Sequence, residues 1–316
     1  MQAVYMTPRS TFPDAFPSNT LFGAICRGME ELGEDVGALI DAYAGKPPFF
    51  ISSCFPYLHR KDPVPLYPMP MLPHKDIPAY DYDTMKKLKK VRWIDEGILR
   101  RLCEGSLTLP GIIKNWNTFG YSPKMGLLAS TKDALVTNDR NSEFFGDVDI
   151  PHNQINRRTT ASEQFFHTSG IHYKDSGLWF LMEFSDSSWE RSVLAALRLL
   201  ADQGIGPRRS SGQGSFSLSL GSSSIPAGRD APFLMTLSRL LPDSLSPFGG
   251  EIWYDLVTIR GRSQDGVAKK KVLMLSEGTF FKNTGKPWYG RIARVREDPP
   301  MVEFGVAFPL GMRCLA

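Results

Sequence analysis

The chain has 316 residues, 42% hydrophobic and 22% charged, with a formal net charge of +4. That length and balance predict a globular protein of two domains or one large one, and exclude a disordered, fibrous or strongly polycationic chain. No apolar run approaches the ~20 residues of a membrane span, and the four cysteines (Cys26, Cys54, Cys103, Cys314) form no C-x-x-C pair, so membrane contact, a metal site and a cofactor are not expected.

The N-terminal "MQAVYMTPRSTFP" has no charged leader ahead of a long apolar segment, which makes a cytoplasmic protein with reduced, buried thiols the expectation. Residues 2–9 alternate as a short strand. In "SNTLFGAICRGMEELGE" (18–34), Leu21, Ile25, Met29 and Leu32 recur at helical spacing. Ser18, Asn19 or Thr20 offers a capping oxygen, and Gly33 a stop. "FFISSC" (49–54) reads as a buried strand. From Phe55 to about Pro78 the proline density predicts an extended, ordered loop with its tyrosines, methionines and leucines on a surface. Residues 83–104 form a basic helical patch, and "KKLKKVRW" (86–93) holds five basic residues. Residues 121–147 look like a mobile insertion.

"VDIPHNQINRRTT" (148–160) begins as a strand and ends polar. "FFHTSGIHYKDSGLWFLMEF" (165–184) predicts a hairpin turning at Asp175-Ser176-Gly177. The clearest helix is 187–204, with Trp189, Val193, Leu194, Leu197 and Leu200 on one face and Gly204 at its end. "GSFSLSL" alternates as a strand, and residues 231–242, 253–262, 271–281 and 302–310 follow as further strands. The expected class is α+β. Residues 1–225 read as a ferredoxin-like β-α-β-β-α-β domain with inserted loops at about 55–147 and a glycine-rich loop at 204–214. Residues 226–316 read as a second, smaller β-rich relative of it.

The loop "GIGPRRSSGQGSF" joins helix to strand. Gly204, Gly206, Gly212 and Gly214 permit positive φ and close ligand approach. Arg208, Arg209, Ser210 and Ser211 add donors for phosphate oxygens. The bland alternative is a tight connection with glycines for geometry alone. Walker A and dinucleotide loops are excluded, because those follow a strand and open a helix.

Helix, "GIGPRRSSGQGSF", then strand resembles the glycine-rich loop of the CRISPR-associated RAMP superfamily. "SNTLFGAICRGMEELGE", "FFISSCFPYL", "HNQINRRTT" and "LMLSEGTFF" (273–281) resemble segments of one branch in the same order. That branch is the subunit of type III-A (Csm) effector complexes that caps the guide RNA 5′ end. The resemblance runs the length of the chain and is weakest over 55–147. It implies two RRM-like domains in tandem and a non-catalytic role in antiviral defence, holding the repeat-derived 5′ handle. It also implies contact with the large polymerase/cyclase-like subunit and the backbone RAMP subunits, with target RNA nearby. A projecting thumb that disturbs the guide–target duplex is implied too, and 121–147 is the candidate for it.

By resemblance and chemistry, the RNA-binding residues are expected in three places. The loop supplies Gly204, Gly206, Arg208, Arg209, Ser210, Ser211, Gly212 and Gly214; Asn156, Arg157, Arg158 and Thr159 form a second cluster; Asn19, Thr20 and Arg27 on the first helix form a third. Phe22 and Phe216 are expected in the core, whereas Trp116, Tyr121 and Trp288 are open to either packing or base stacking. The alternative function is a guide-RNA processing endoribonuclease of the same superfamily. It would need a histidine at the RNA, and His152 and His167 are the nearest to the proposed surface, with His59, His74 and His172 scattered. Asp14 reads as a turn residue. A third possibility is an adaptor that binds no nucleic acid.

Overall fold

The computed structural model describes residues 1–12, 16–73, 82–135, 144–206, 208–225, 227–242, 244, 248, 250–261, 269–297 and 300–313. Asp14, His74 and Cys314 lie outside them, as do residues 136–143 of the expected mobile insertion.

The order begins β1 (Gln2–Pro8), α1 (Ser18–Glu31), α2 (Val36–Ala42) and β2 (Phe49–Ile51). Val4 and Met6 of β1 meet Leu21, Phe22, Ile25 and Met29 of α1 in one buried cluster. Helix α1 starts without a side-chain cap, at Pro17. The expected capping residues have other partners: the Ser18 hydroxyl accepts the Arg239 amide at 3.0 Å, and the Asn19 amide donates to Glu303 at 2.9 Å.

Insertions follow. β3 (Phe55–Leu58), β4 (Val64–Pro68), α3 (Tyr82–Leu88), β5 (Trp93–Asp95), α4 (Glu96–Glu104), α5 (Leu109–Lys114), β6 (Gly120–Ser122) and β7 (Leu127–Ala129) come between β2 and the next central strand. Much of the described part of 55–147 is therefore not loop. β3 and β4 hold Pro56, Pro65 and Pro68, yet both are strands, because their mutual ladder has only two residue pairs and few amides are needed. The Asp95 carboxylate caps α4 through Ile98 N at 2.9 Å and also accepts from Ser130 N at 2.7 Å. One side chain thus locks the end of β7 to the start of α4.

β8 (Phe145–Ile155) and β9 (Ser162–Tyr173) form a long ribbon, paired from Phe145–Tyr173 to Ile155–Ser162. β10 (Ser176–Phe184) pairs with β1, β2 and β3, and no β9–β10 ladder forms. The hairpin expected at 165–184 is thereby corrected. Asp175, at φ 51, turns the chain out of the ribbon into the central sheet. Gly177 sits inside a strand, not a turn, because a Cβ there would lie 2.5 Å from the Tyr57 ring.

Then come α6 (Glu190–Gln203) and β11 (Phe216–Ser222). The sheet order is β11-β1-β10-β3-β4-β5-β7-β6, nine strands with β2 also on β10. Around β1 every neighbour is antiparallel; α1 leads from β1 towards β2, and α6 joins β10 to β11.

The remaining chain is β-rich: β12 (Phe233–Thr236), β13 (Ile252–Trp253), β14 (Leu256–Ile259), β15 (Val272–Leu275), β16 (Phe280–Lys282), β17 (Gly290–Arg296), β18 (Met301–Val306) and β19 (Pro309–Met312). Four strands pair in the order β13-β16-β12-β19, and β14–β15 and β17–β18 form two ribbons. Among the described residues this part has no α-helix, so a second unit would differ from the first in lacking helical cover.

The two parts share a core. Phe22 of α1 stacks on Phe304 of β18 with centroids 4.7 Å apart, and Phe304, Leu310 and Met312 belong to the same cluster as Val4 and Ile25. A buried polar seam runs beside it: Asn19 accepts from Arg239 at 3.3 Å, and Lys269 pairs with Glu303 at 3.1 Å. Removing the Phe304 ring leaves a cavity at this junction. Phe304→Ala is expected to cost about 3–5 kcal/mol in urea denaturation, within one transition for the whole chain. Two separable transitions in the unmodified protein would contradict the shared core.

Candidate nucleic-acid interface

The glycine-rich loop closes on itself before it meets anything else. Helix α6 ends at Gly204, φ 83, whose amide bonds Leu200 O at 2.9 Å. Ile205 N then bonds Gly214 O at 3.0 Å, forming a neck, and Gly214 N bonds Thr11 O at 3.0 Å. A Cβ on Gly214 would lie 2.0 Å from Ile205 O, and one on Gly204 2.9 Å from Gln213 O. The space expected for a ligand at these two glycines is filled by the loop's own backbone. Gly206, at φ 103, and Gly212, at φ 83, keep the positive φ, and Gly212 has nothing within 4 Å of its would-be Cβ. Gly212 therefore faces open space. Arg209–Ser211 form one 3-10 turn between them, and the Ser211 hydroxyl bonds Arg208 O at 2.9 Å. For Ser210 only its place in that turn is described.

Loop residue Arg209 meets the C-terminal ends of two helices. Arg209 reaches Gln203 at 3.1 Å and the Glu31 carboxylate at 3.5 Å, and Arg27 reaches Glu31 at 3.3 Å. Helix C-termini favour cations, which helps hold this cluster together. Burial, then the Arg209 charge, lowers the Arg27 pKa; Glu31 opposes them. A hydrogen bond from Gln203, with Arg27 and Arg209, holds the Glu31 carboxyl below the usual carboxylate range. Arg27 Nη2 and Arg208 Nη1 are buried without a hydrogen-bond partner among the described residues. Such groups are costly unless a partner arrives.

The second arginine pair stands elsewhere. Arg157, Arg158 and Thr159 are exposed at the tip of the β8–β9 ribbon, with Thr160 at φ 56. Asn156 builds that tip: its Oδ1 accepts from Arg158 N at 2.9 Å and Thr159 N at 3.3 Å, and its amide donates to Glu163. At roughly 3.4 Å per residue, the tip lies about 30 Å along the ribbon from Ile171. Arg157 and Arg158 thus do not join Arg27, Arg208 and Arg209 at one point. The β8–β9 ribbon is largely exposed, and its first residues, 145–147, belong to the expected insertion; within 121–135 the described residues hold β6 and β7, which join the sheet through β5.

One short segment links loop and ribbon. Thr11 O accepts the Gly214 amide, Arg9 N bonds Ser215 O, and Phe12 pairs with Ile171 at the ribbon's base. Asn19 and Thr20 lie at the far end of α1, about 15–18 Å from Glu31 at 1.5 Å per residue. Asn19 is buried in the seam described above, and Thr20 is exposed.

Phe22 and Phe216 are buried in the core, as expected. Trp116 is also buried, with Tyr121 packed on it at 5.1 Å, and Trp288 is half-buried. The exposed aromatics among the described residues include Tyr82 (76%) on α3 and, on the ribbon, Phe165 (65%) and Phe166 (47%). Read as apolar hairpin arms, the two phenylalanines escaped notice as surface groups; period-2 alternation does not say which face is covered.

Among the described residues, His152 and His167 do not come together as an acid–base pair. His152 stacks on Phe166 and bonds Thr168 at 2.9 Å, whereas His167 is registered with Pro151 on the opposite face of the ribbon. Burial pushes the Cys26 thiol up to about 12 and Cys54 higher still, so neither is a ready thiolate. Among the described residues no group of three His, Cys, Asp or Glu is placed to hold a metal, and no helix is long and apolar enough to cross a membrane.

No family model matches the chain. It is 27% identical over 321 residues to the CRISPR system Cms protein Csm4 of Thermococcus onnurineus (strain NA1), covering 98% of this chain and 96% of that one. A chain from the crystal structure of a Csm3-Csm4 subcomplex of the type III-A CRISPR-Cas interference complex superposes with TM-score 0.71 at 17% identity, covering 99% of this chain and 100% of that one. A chain from a Csm1-Csm4 cassette in complex with pppApA superposes with TM-score 0.62 at 19% identity, covering 99% and 98%. These structures share the mixed α/β fold. The resemblance to the RAMP subunit of type III-A systems is borne out across the full chain.

The neck makes a graded prediction. Gly214→Ala forces a Cβ into a carbonyl and should cost several kcal/mol, whereas Gly212→Ala meets only positive-φ strain, about 1–2 kcal/mol. Thermal denaturation of the two variants checks this; equal losses would contradict the neck.

Proposed function

We propose that the chain is a non-catalytic RNA-binding subunit of a type III-A CRISPR effector complex. It holds the 5′ handle of the guide RNA and bridges the large polymerase/cyclase-like subunit to the backbone RAMP subunits, in cytoplasmic antiviral defence. The observation that carries this reading is the shared anchor at residues 9–12, which sets the arginine-bearing loop beside the base of a projecting ribbon. A flexible polyanion can run from one to the other. The loop supplies charge and an open glycine; the ribbon supplies exposed Phe165 and Phe166 for stacking and Arg157 and Arg158 for phosphates.

The β11-β1-β10-β2 order with α1 and α6 supports a ferredoxin-like domain at 1–225, and 226–316 is its smaller β-rich companion. The ribbon takes the thumb role at the guide–target duplex. Partners follow from the relatives, whose structures are Csm3-Csm4 and Csm1-Csm4 assemblies. The processing-endoribonuclease alternative lacks support in the placement of His152 and His167 on opposite faces.

Arg208→Ala combined with Arg209→Ala is expected to weaken binding of a 5′-handle RNA by about 10–100-fold. The slope of log affinity against log salt should fall by roughly 1–2. Fluorescence anisotropy across a salt series checks both. Unchanged affinity and slope would remove the loop from the RNA site. Metal-free incubation with repeat RNA should leave it uncut.

A further inference from the structure

Two guanidinium groups, those of Arg27 and Arg209, meet where α1, α6 and the loop join, and one carboxylate serves both. Glu31 lies 3.3 Å from Arg27 and 3.5 Å from Arg209, and Gln203 braces Arg209 at 3.1 Å. These side chains are only partly covered: 24% exposed for Arg27, and 33% for both Arg209 and Glu31. Arg27 Nη2 remains buried without a partner among the described residues, so the carboxylate does not satisfy the pair; Arg208, next to Arg209 in the chain, also has its Nη1 buried without one. A site with more donors than its own anion can fill is suited to a larger anion with more oxygens, which a phosphodiester is.

We propose that Glu31 is an internal stand-in for phosphate: in the free chain it holds Arg27 and Arg209 down, and an RNA phosphate displaces it on binding. This rests on the loop being the RNA site. The carboxylate stabilises the free protein, since like charges on Arg27 and Arg209 repel. It also raises the threshold for binding. A small anion offers one contact and must still displace a tethered competitor. An RNA strand that also occupies the open side of Gly212 gains several contacts at once. Glu31 therefore trades affinity for selectivity, and is a positioning residue rather than an RNA contact. The signal in the sequence was the i,i+4 spacing of Arg27 and Glu31, an ordinary surface pair until the loop places Arg209 on the same oxygen.

The test is a double-mutant cycle on the full chain, read by anisotropy with a 5′-handle RNA and with an unrelated RNA of equal length, at one fixed salt concentration. Glu31→Gln keeps the shape and removes the charge. It should tighten handle binding by about three- to tenfold, as expected for a like charge taken away from beside a phosphate. It should tighten binding of the unrelated RNA by at least as much. In an Arg209→Ala background the gain should shrink below about twofold. If Glu31→Gln leaves affinity unchanged or weaker while Arg209→Ala weakens it, the stand-in is overturned and the loop site stands. An equal gain with and without Arg209 also overturns it, as a long-range field effect. If neither single substitution changes affinity, the loop reading itself falls. Glu31→Ala is the second variant should the glutamine disturb folding, which circular dichroism reports.

Discussion

The backbone contact between Ile205 and Gly214 governs the proposed surface. It can form only because Gly214 has no Cβ, and it turns what would be a floppy connection into a closed ring of residues. Once the neck is shut, the arginines have few places to go. Arg209 falls on the ends of α1 and α6, and the open glycine, Gly212, is left on the outside. Glycine thus has two opposite uses within one loop: permitting contact of the chain with itself, and leaving room for something else.

The neck is held in turn by the body. Thr11 takes the Gly214 amide, and the next residue, Phe12, pairs with the base of the ribbon. Phe12 is fully buried, with ring contacts to Phe16, Tyr173 and Phe216. The anchor for two exposed and polar features is therefore aromatic core. On the other side of α1, the Phe22–Phe304 stack and the Asn19–Glu303 bond tie in the C-terminal strands. Helix α1 consequently bears three loads: sheet cover, the junction with the second part, and Arg27 and Glu31 at its end.

Several of these features were legible in the sequence. The helices at 18–34 and 187–204, the strand after the loop and the burial of Phe22 and Phe216 all follow from periodicity, which long amphipathic elements display strongly. Within the insertion the helical patch at 83–104 was legible and holds α3 and α4, whereas the strands were not, because β3 to β7 are only three to five residues long and β3 and β4 carry prolines, so no period can develop. The ribbon was misread for a different reason. Asp175-Ser176-Gly177 has hairpin chemistry, but Gly177 is required by the Tyr57 ring, and the true turn at 156–161 is built by the Asn156 side chain. In the site, four glycines signalled a special loop without revealing which ones face outward. That depends on the neck, a contact between residues nine apart.

The account's central claim is that the loop and the ribbon base border one RNA path. The most direct measurement is photochemical cross-linking of the chain, assembled with its partners on guide RNA, followed by mapping of the linked peptides. The account predicts adducts within 204–214 and along the ribbon at 145–173. Adducts confined to the C-terminal strands, with the loop and ribbon unlabelled, would contradict it.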